Sequence, residues 1–216
     1  MITLWGRSTS ANVQKPMWLI GELGLDVERK DVGGAFGGLD TPEYKAMNPH
    51  SLIPTLQDKG YTVWESEAVL RYIGAEYGTQ FWPDEAGPRA EIDQWMSWVQ
   101  SSWSPAMTNV FINYVRVAKA DRDAVQLKGL EDKLFALATL VDGILATRQY
   151  LAGDKMSLAD FAFATFLYRY YTLEIDRPDL PNLAKYYEAL SQSPAYQEHV
   201  QISYAGMRVP GAEAAE

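Results

Sequence analysis

The sequence predicts a small α/β domain followed by a larger all-helical one. Two observations carry this. Short apolar runs of strand type, closed by glycine or paired about a turn, all fall before residue 79. Beyond that point apolar residues recur only at helical spacing. Composition supplies the third observation: 216 residues, 47% hydrophobic and 22% charged, hold apolar material for two modest cores and no signature of disorder.

Ile2–Trp5 is a strand, too short for a helix and ended by Gly6. From Ala11 to Leu23 the pattern turns helical, with Val13, Met17 and Ile20 on one face and Gly24 closing it. Pro16 has no N–H for the carbonyl of Asn12, so it is expected to fit only near a first turn. Val27–Lys30 reads as the second strand, and Asp31–Thr41, with four glycines, as a loop. Ile53–Leu56 and Tyr61–Trp64 flank Asp58-Lys59-Gly60 as a hairpin. Ser66 then opens a helix carrying Val69, Tyr72, Ile73 and Tyr77, which Gly78 ends. Residues 79–88 hold Pro83, Gly87 and Pro88 and read as a linker between domains at 1–78 and 89–216. Ile92, Trp95, Met96, Val99 and Trp103 mark one amphipathic helix; Leu127, Leu130, Leu134, Leu137, Val141 and Ile144 mark a second. Ser157–Tyr171 is apolar enough to be a buried helix, shorter helices start at Asn182 and Pro194, and Pro210–Glu216 reads as a frayed tail.

Charge and composition exclude several function classes. The net charge is -9, with acidic residues spread along the chain, so no basic footprint exists for nucleic acid or an anionic membrane. There is no cysteine, hence no disulfide, thiolate metal site or cysteine nucleophile. The two histidines, His50 and His199, have no metal-ligand spacing, so no metal is expected. No run of about 18 apolar residues occurs and MITLWGRSTS lacks the pattern of a signal peptide, which makes a cytoplasmic location the expectation.

Four segments then fall in order: Ser8-Thr9-Ser10-Ala11-Asn12-Val13, Asn48-Pro49-His50-Ser51-Leu52-Ile53-Pro54, Trp64-Glu65-Ser66-Glu67-Ala68-Val69, and Leu151 to Asp160. Together they resemble the cytosolic glutathione transferases, most weakly over 31–44 and after 200. The resemblance implies a thioredoxin-like, glutathione-binding N-terminal domain and an all-α C-terminal domain with a hydrophobic substrate site. It also implies a homodimer, detoxification as the role, and conjugation of the glutathione thiolate to a hydrophobic electrophile. Within the family the chain is similar to serine-using bacterial members and to plant phi- and theta-like ones. Having no cysteine, and no tyrosine before Tyr44, it departs from the classes that use those residues.

Each candidate residue has a plain structural reading beside the functional one. Ser10 is a good helix N-cap by residue type; the resemblance makes it the catalytic hydroxyl that donates to the sulfur. A free thiol has a pKa of about 8.5, and lowering it by about 2 units corresponds to roughly 2.7 kcal/mol. Ser8, Thr9 and Asn12 are rivals for that contact, and Thr9 and Asn12 are further expected glutathione contacts. The resemblance implies a cis Ile53-Pro54 bond, with the Ile53 backbone pairing the cysteinyl backbone; the plain reading is a trans proline opening an edge strand. Glu65 and Ser66 are implied to hold the γ-glutamyl amine and carboxylate, and the plain reading of Ser66 is a cap. For the glycyl carboxylate the loop 31–44 offers no basic residue, only Lys45 and His50 just beyond it. Ser157 and Asp160 form a capping box. Trp103, Met107, Phe111 and Tyr114, with Val110 and Tyr168, are candidates for the electrophile's pocket or, on the plain reading, core. Two other functions remain open on the same scaffold: glutathione-dependent peroxide or disulfide reduction, and a non-catalytic binding module.

Overall fold

The computed structural model describes residues 1–212 and divides into two compact units, Met1–Arg89 with Ser193–Ile202, and Ala90–Gln192 with the residues from Ser203 on. The first unit holds every described strand. Its elements are β1 (Ile2–Trp5), α1 (Ala11–Glu22), β2 (Val27–Lys30), α2 (Pro42–Met47), β3 (Thr55–Asp58), β4 (Tyr61–Trp64) and α3 (Ser66–Tyr77). The strand order is β2-β1-β3-β4, with β1 and β2 parallel and β3 antiparallel to both of its neighbours. This is the thioredoxin-like arrangement that the motifs imply. Leu4 and Leu56 pair across the sheet centre and are fully buried, with Val13, Leu19, Val69 and Ile73 of the two covering helices.

Local chemistry accounts for most of these boundaries. The hairpin turns on Lys59 and Gly60, both at positive φ, as a two-residue turn between right-twisted strands requires. Asp58 accepts hydrogen bonds from the hydroxyls of Tyr72 and Tyr77, tying that hairpin to α3. β3 starts at Thr55 rather than Ile53, because a proline cannot donate to the ladder. One expectation fails. Pro16 lies in the second turn of α1, not the first. The helix runs through it because nine of its twelve residues are buried, and that burial outweighs the roughly 3 kcal/mol cost of the missing bond. Directly after the glycine loop comes α2, whose N-cap Thr41 accepts from the Tyr44 N–H at 3.2 Å, with Pro42 and Glu43 in its first turn.

The second unit is all helix: α4 (Ala86–Trp98), α5 (Ser104–Arg116), α6 (Ala124–Leu145), α7 (Leu158–Ala164), α8 (Leu167–Thr172) and α9 (Pro181–Leu190). α4 already begins inside the expected linker 79–88. A widened turn at Val99–Trp103 joins α4 to α5, next to Pro105, which cannot donate to Ser101. The single buried helix expected over Ser157–Tyr171 is two. Thr165 donates its hydroxyl to the Phe161 carbonyl at 2.7 Å, and the chain kinks there into α8. Asp160 is wholly buried and does more than cap. It accepts from the N–H and hydroxyl of Ser157, the N–H of Leu151 and the hydroxyl of Tyr186, so one carboxyl holds a loop and two helices.

The remaining helix, α10 (Pro194–His199), packs against α1 in the first unit, a departure from the expected domain at 89–216. Trp18 meets Tyr196 edge-on at 4.8 Å between ring centroids, and Glu22 accepts from both Trp18 and Ser193. A β-carbon on Gly21 would come within 2.7 Å of His199, so glycine is what lets α1 and α10 approach. The tail expected at Pro210–Glu216 falls partly outside the described residues.

Candidate functional site

The registers bring one end of every strand together. Lys30 pairs with Trp5, Trp5 with Thr55, and Thr55 with Trp64. The segments leaving this row are the glycine loop after β2, Gly6 to Ser10 after β1, Ile53-Pro54 before β3, and Glu65-Ser66 after β4. Three of the four sequence motifs, separated by tens of residues, therefore converge on one edge of the sheet.

Gly6 allows the closest approach there. Its φ is +150°, and a β-carbon would sit 2.4 Å from Val13 Cγ2 and 3.2 Å from Ile53 Cβ. The chain then turns into α1 at Ser10, whose carbonyl accepts from Val13 and Gln14 at 2.9 Å each. Ser10 occupies the N-cap position in extended conformation, yet its side chain makes no cap hydrogen bond. The plain reading of this serine requires that bond. The hydroxyl is half-buried at the end of a twelve-residue helix, whose first-turn amides favour negative charge. Thr9 is half-buried beside it. Asn12 is exposed and its Oδ1 accepts from Lys15 Nζ at 3.1 Å.

Ile53 is presented by a loop held from below. The Ile53-Pro54 bond is cis. Buried Asn48 donates through Nδ2 to the Leu52 carbonyl at 2.9 Å and to Thr55 Oγ1 at 3.1 Å. Tyr44, also buried, donates its hydroxyl to the same carbonyl at 2.6 Å. Burial pushes the Tyr44 phenol up, against the bond with Thr55, so it stays a donor at any physiological pH. Asn48 is thus the reason an asparagine opens the second motif. Tyr44 gave no sequence signal, because its partner lies eleven residues away.

At α3 the N-cap is Glu65, not Ser66. Glu65 has φ +71°, is exposed and makes no cap bond, while Ser66 is the first helical residue and is buried. The Ser66 hydroxyl donates to Glu67 Oε2 at 2.7 Å and lies 3.4 Å from Lys15 Nζ. Lys15 in turn pairs with Glu67 Oε1 at 2.6 Å; the two side chains are 1% and 5% exposed. Burial works to raise the Glu67 pKa. The Lys15 charge, with hydrogen bonds from Lys15, Ser66 and the backbone, overcomes it and holds the carboxyl below its usual range. Sequence reasoning missed this ion pair. A lysine within a helical run reads as solvated surface, and only the covering of α1 on nearly all sides turns it inward.

Lys45 is exposed in the last turn of α2, and His50 is exposed against the Trp64 ring at 5.1 Å. Trp103, Met107 and Phe111 are buried in the core of the helical unit, with Trp103 against Phe163 at 4.7 Å, so core packing accounts for them and they present no surface to a ligand. Tyr114 borders a cavity of about 350 Å³, but its hydroxyl donates to Glu131 at 2.5 Å, and Lys119, Arg122 and Glu174 make that lining polar. No cluster of three or more His, Asp or Glu suited to a metal occurs among the described residues, and no described helix is long and apolar enough to cross a membrane.

Comparison with known proteins shows the family to which this fold belongs. The family model for the glutathione S-transferase N-terminal domain matches residues 1–75, and that for the C-terminal domain matches 102–194. Glutathione S-transferase GstB of Escherichia coli K12 is 35% identical over 205 residues, 94% of this chain and 99% of that one. Glutathione S-transferase 3 of Zea mays is 30% identical over 92% of this chain and 93% of its own. Among solved structures, a theta-class glutathione S-transferase from Xanthomonas axonopodis pv. citri with glutathione bound has a TM-score of 0.89 and 38% identity, covering 94% of this chain and 98% of that one.

Proposed function

The chain belongs to the glutathione S-transferase family and is a glutathione transferase, and we propose that it works by stabilising the glutathione thiolate with Ser10. The observation that carries this assignment is the Ser10 hydroxyl without a cap bond, on the same sheet edge as Ile53 and Ser66. Glutathione lies along Ile53, whose backbone N–H and C=O pair with the cysteinyl residue. The γ-glutamyl carboxylate meets the first-turn amides of α3 at Ser66, and exposed Glu65 faces the amine. These contacts bring the sulfur over Ser10, with Thr9 and Asn12 flanking it.

In the reaction the thiol proton leaves to solvent and the Ser10 O–H donates to the sulfur anion. The thiolate forms a carbon–sulfur bond to a hydrophobic electrophile while the leaving group departs with its electron pair. Serine acts as a donor throughout and forms no covalent bond. Family membership supports three further parts of the reading: a homodimer, a cytoplasmic location and a detoxifying role.

Titration calorimetry with glutathione, beside turnover of an aryl halide, tests this. Ser66→Ala is expected to weaken binding several-fold. Ser10→Ala is expected to bind normally and to lose about 25-fold in turnover at pH 7, because a thiol pKa that rises from about 6.5 to about 8.5 cuts the thiolate fraction from about three quarters to about 3%. Unchanged turnover in Ser10→Ala would move the sulfur contact to Ser8 or Thr9. Binding with no turnover in the native chain, alongside peroxide reduction, would replace conjugation with reduction.

A further inference from the structure

The loop after β2 contains no basic residue between 31 and 44, yet a tripeptide laid across this edge ends in a second carboxylate. The sheet indicates where that carboxylate falls. Ser66 follows β4 and Ile53 precedes β3, so a ligand anchored on both runs toward β1 and β2. Strands are spaced about 4.8 Å apart, so the row from β4 to β2 spans roughly 14 Å. A tripeptide reaches about 10 Å, and the γ-linkage of glutathione adds a little more. A chain starting at Ser66 and crossing Ile53 therefore ends above the segments that leave β1 and β2.

One cation lies against that spot. Arg7, the second residue after β1, folds over the glycine loop. A β-carbon on Gly34 would sit 3.3 Å from Arg7 Cδ and Nε and 3.5 Å from Cζ. A β-carbon on Gly33 would sit 3.5 Å from Arg7 Nη1 and 3.4 Å from Ile53 Cδ1. Arg7 and Ile53 thus flank the same glycine. Both glycines have positive φ, +80° and +60°, a backbone conformation that favours glycine, and the Arg7 side chain packs beside them. Nearby basic side chains turn elsewhere: Arg29 to Asp31 and the Gly6 carbonyl, Lys30 to Glu28 and the Trp5 ring.

We propose that Arg7 binds the glycyl carboxylate of glutathione, supplying from the β1–α1 segment the charge that the loop after β2 lacks. The proposal rests on the glutathione reading above and extends it to the far end of the ligand. A guanidinium has five N–H donors in a planar fork, so it can grip a carboxylate with two while keeping contacts to the loop. The Arg7–glycine packing also brings the loop to the site: a β-carbon at Gly34 would crowd the Arg7 side chain, and one at either glycine would be strained by the positive φ.

The test is a cycle of two ligands and two variants, read by titration calorimetry. Glutathione and its glycyl monoethyl ester differ only in the carboxylate at issue. The native chain should bind glutathione about tenfold more tightly than the ester. Arg7→Met should abolish that preference by weakening glutathione about tenfold and leaving the ester unchanged. Arg7→Lys, which keeps the charge and loses the fork, should fall between and serves if Arg7→Met does not fold. A preference that survives in Arg7→Met, or an equal loss for both ligands, overturns the assignment. Failure of the native chain to bind glutathione at all would instead overturn the reading on which it rests.

Discussion

Replacing Lys15 with methionine keeps most of the side-chain length and removes its charge, leaving the Glu67 carboxylate buried with the Ser66 hydroxyl but without its cation. The pair is sealed on both sides, at 1% and 5% side-chain exposure, with 2.6 Å between Nζ and Oε1. Removing one partner of such a pair costs about 3–5 kcal/mol. For a chain of this length 1 kcal/mol shifts the melting temperature by roughly 2–4 °C, so Lys15→Met should melt roughly 6–20 °C lower at neutral pH. The double variant Lys15→Met/Glu67→Met leaves no stranded charge and should recover most of the loss. The pH dependence has a definite sign. Glu67 is held below its unfolded value of 4.5, so the pair's stability is full above that pH and is lost as pH falls through the folded value. The gap between native protein and Lys15→Met should therefore narrow toward pH 4. Thermal denaturation at pH 7.5 and at acid pH reads both effects. A Lys15→Met melt within 2 °C of native, or a gap that widens in acid, would refute the assignment of this pair as a stabilising bridge between α1 and α3.

Two further outcomes follow from buried titratable groups. Burial depresses the His199 pKa, followed by smaller opposing effects of Glu198 and Arg29, so the folded state favours neutral imidazole. Its contribution is present above the unfolded value of 6.5 and is lost below it, and urea midpoints at pH 7.5 and 5.5 should differ less in His199→Gln than in native protein. Asp160→Ala strands four donors from Leu151, Ser157 and Tyr186 and should cost about 3 kcal/mol or more, seen as early unfolding of the helical unit by far-UV circular dichroism; a loss below 1 kcal/mol would contradict its role as a hub.

Much of the site was legible because its chemistry is local. Helix N-termini, a proline before a strand and an acid-serine pair at a turn are short-range signals. They mark the segments of Ser10, Ile53-Pro54 and Glu65-Ser66 without any knowledge of which strands pair, and the roles proposed for those residues come from the family resemblance. What stayed hidden depends on partners distant in sequence. Tyr44 and Asn48 act on the backbone at Leu52 and on Thr55, Lys15 acts on Glu67 across 52 residues, and Arg7 packs beside two glycines in the loop that starts at Asp31.

The helical half shows the same division from the other side. Periodicity located α6 and the joined α4–α5 run, but an apolar stripe does not say whether a side chain lines a pocket or fills a core. Burial places Trp103, Met107 and Phe111 in the core. Nor does a stripe say which neighbour a helix will choose, and α10, last in the chain, packs on α1 of the first unit. By itself the sequence determined the element types and the two-part architecture, since these rest on interactions within a turn or two of chain. Only the tertiary structure decided which charges are neutralised by burial against one another and which cation packs on the glycine loop. Those outcomes depend on distances of a few ångströms between segments that the chain order keeps far apart.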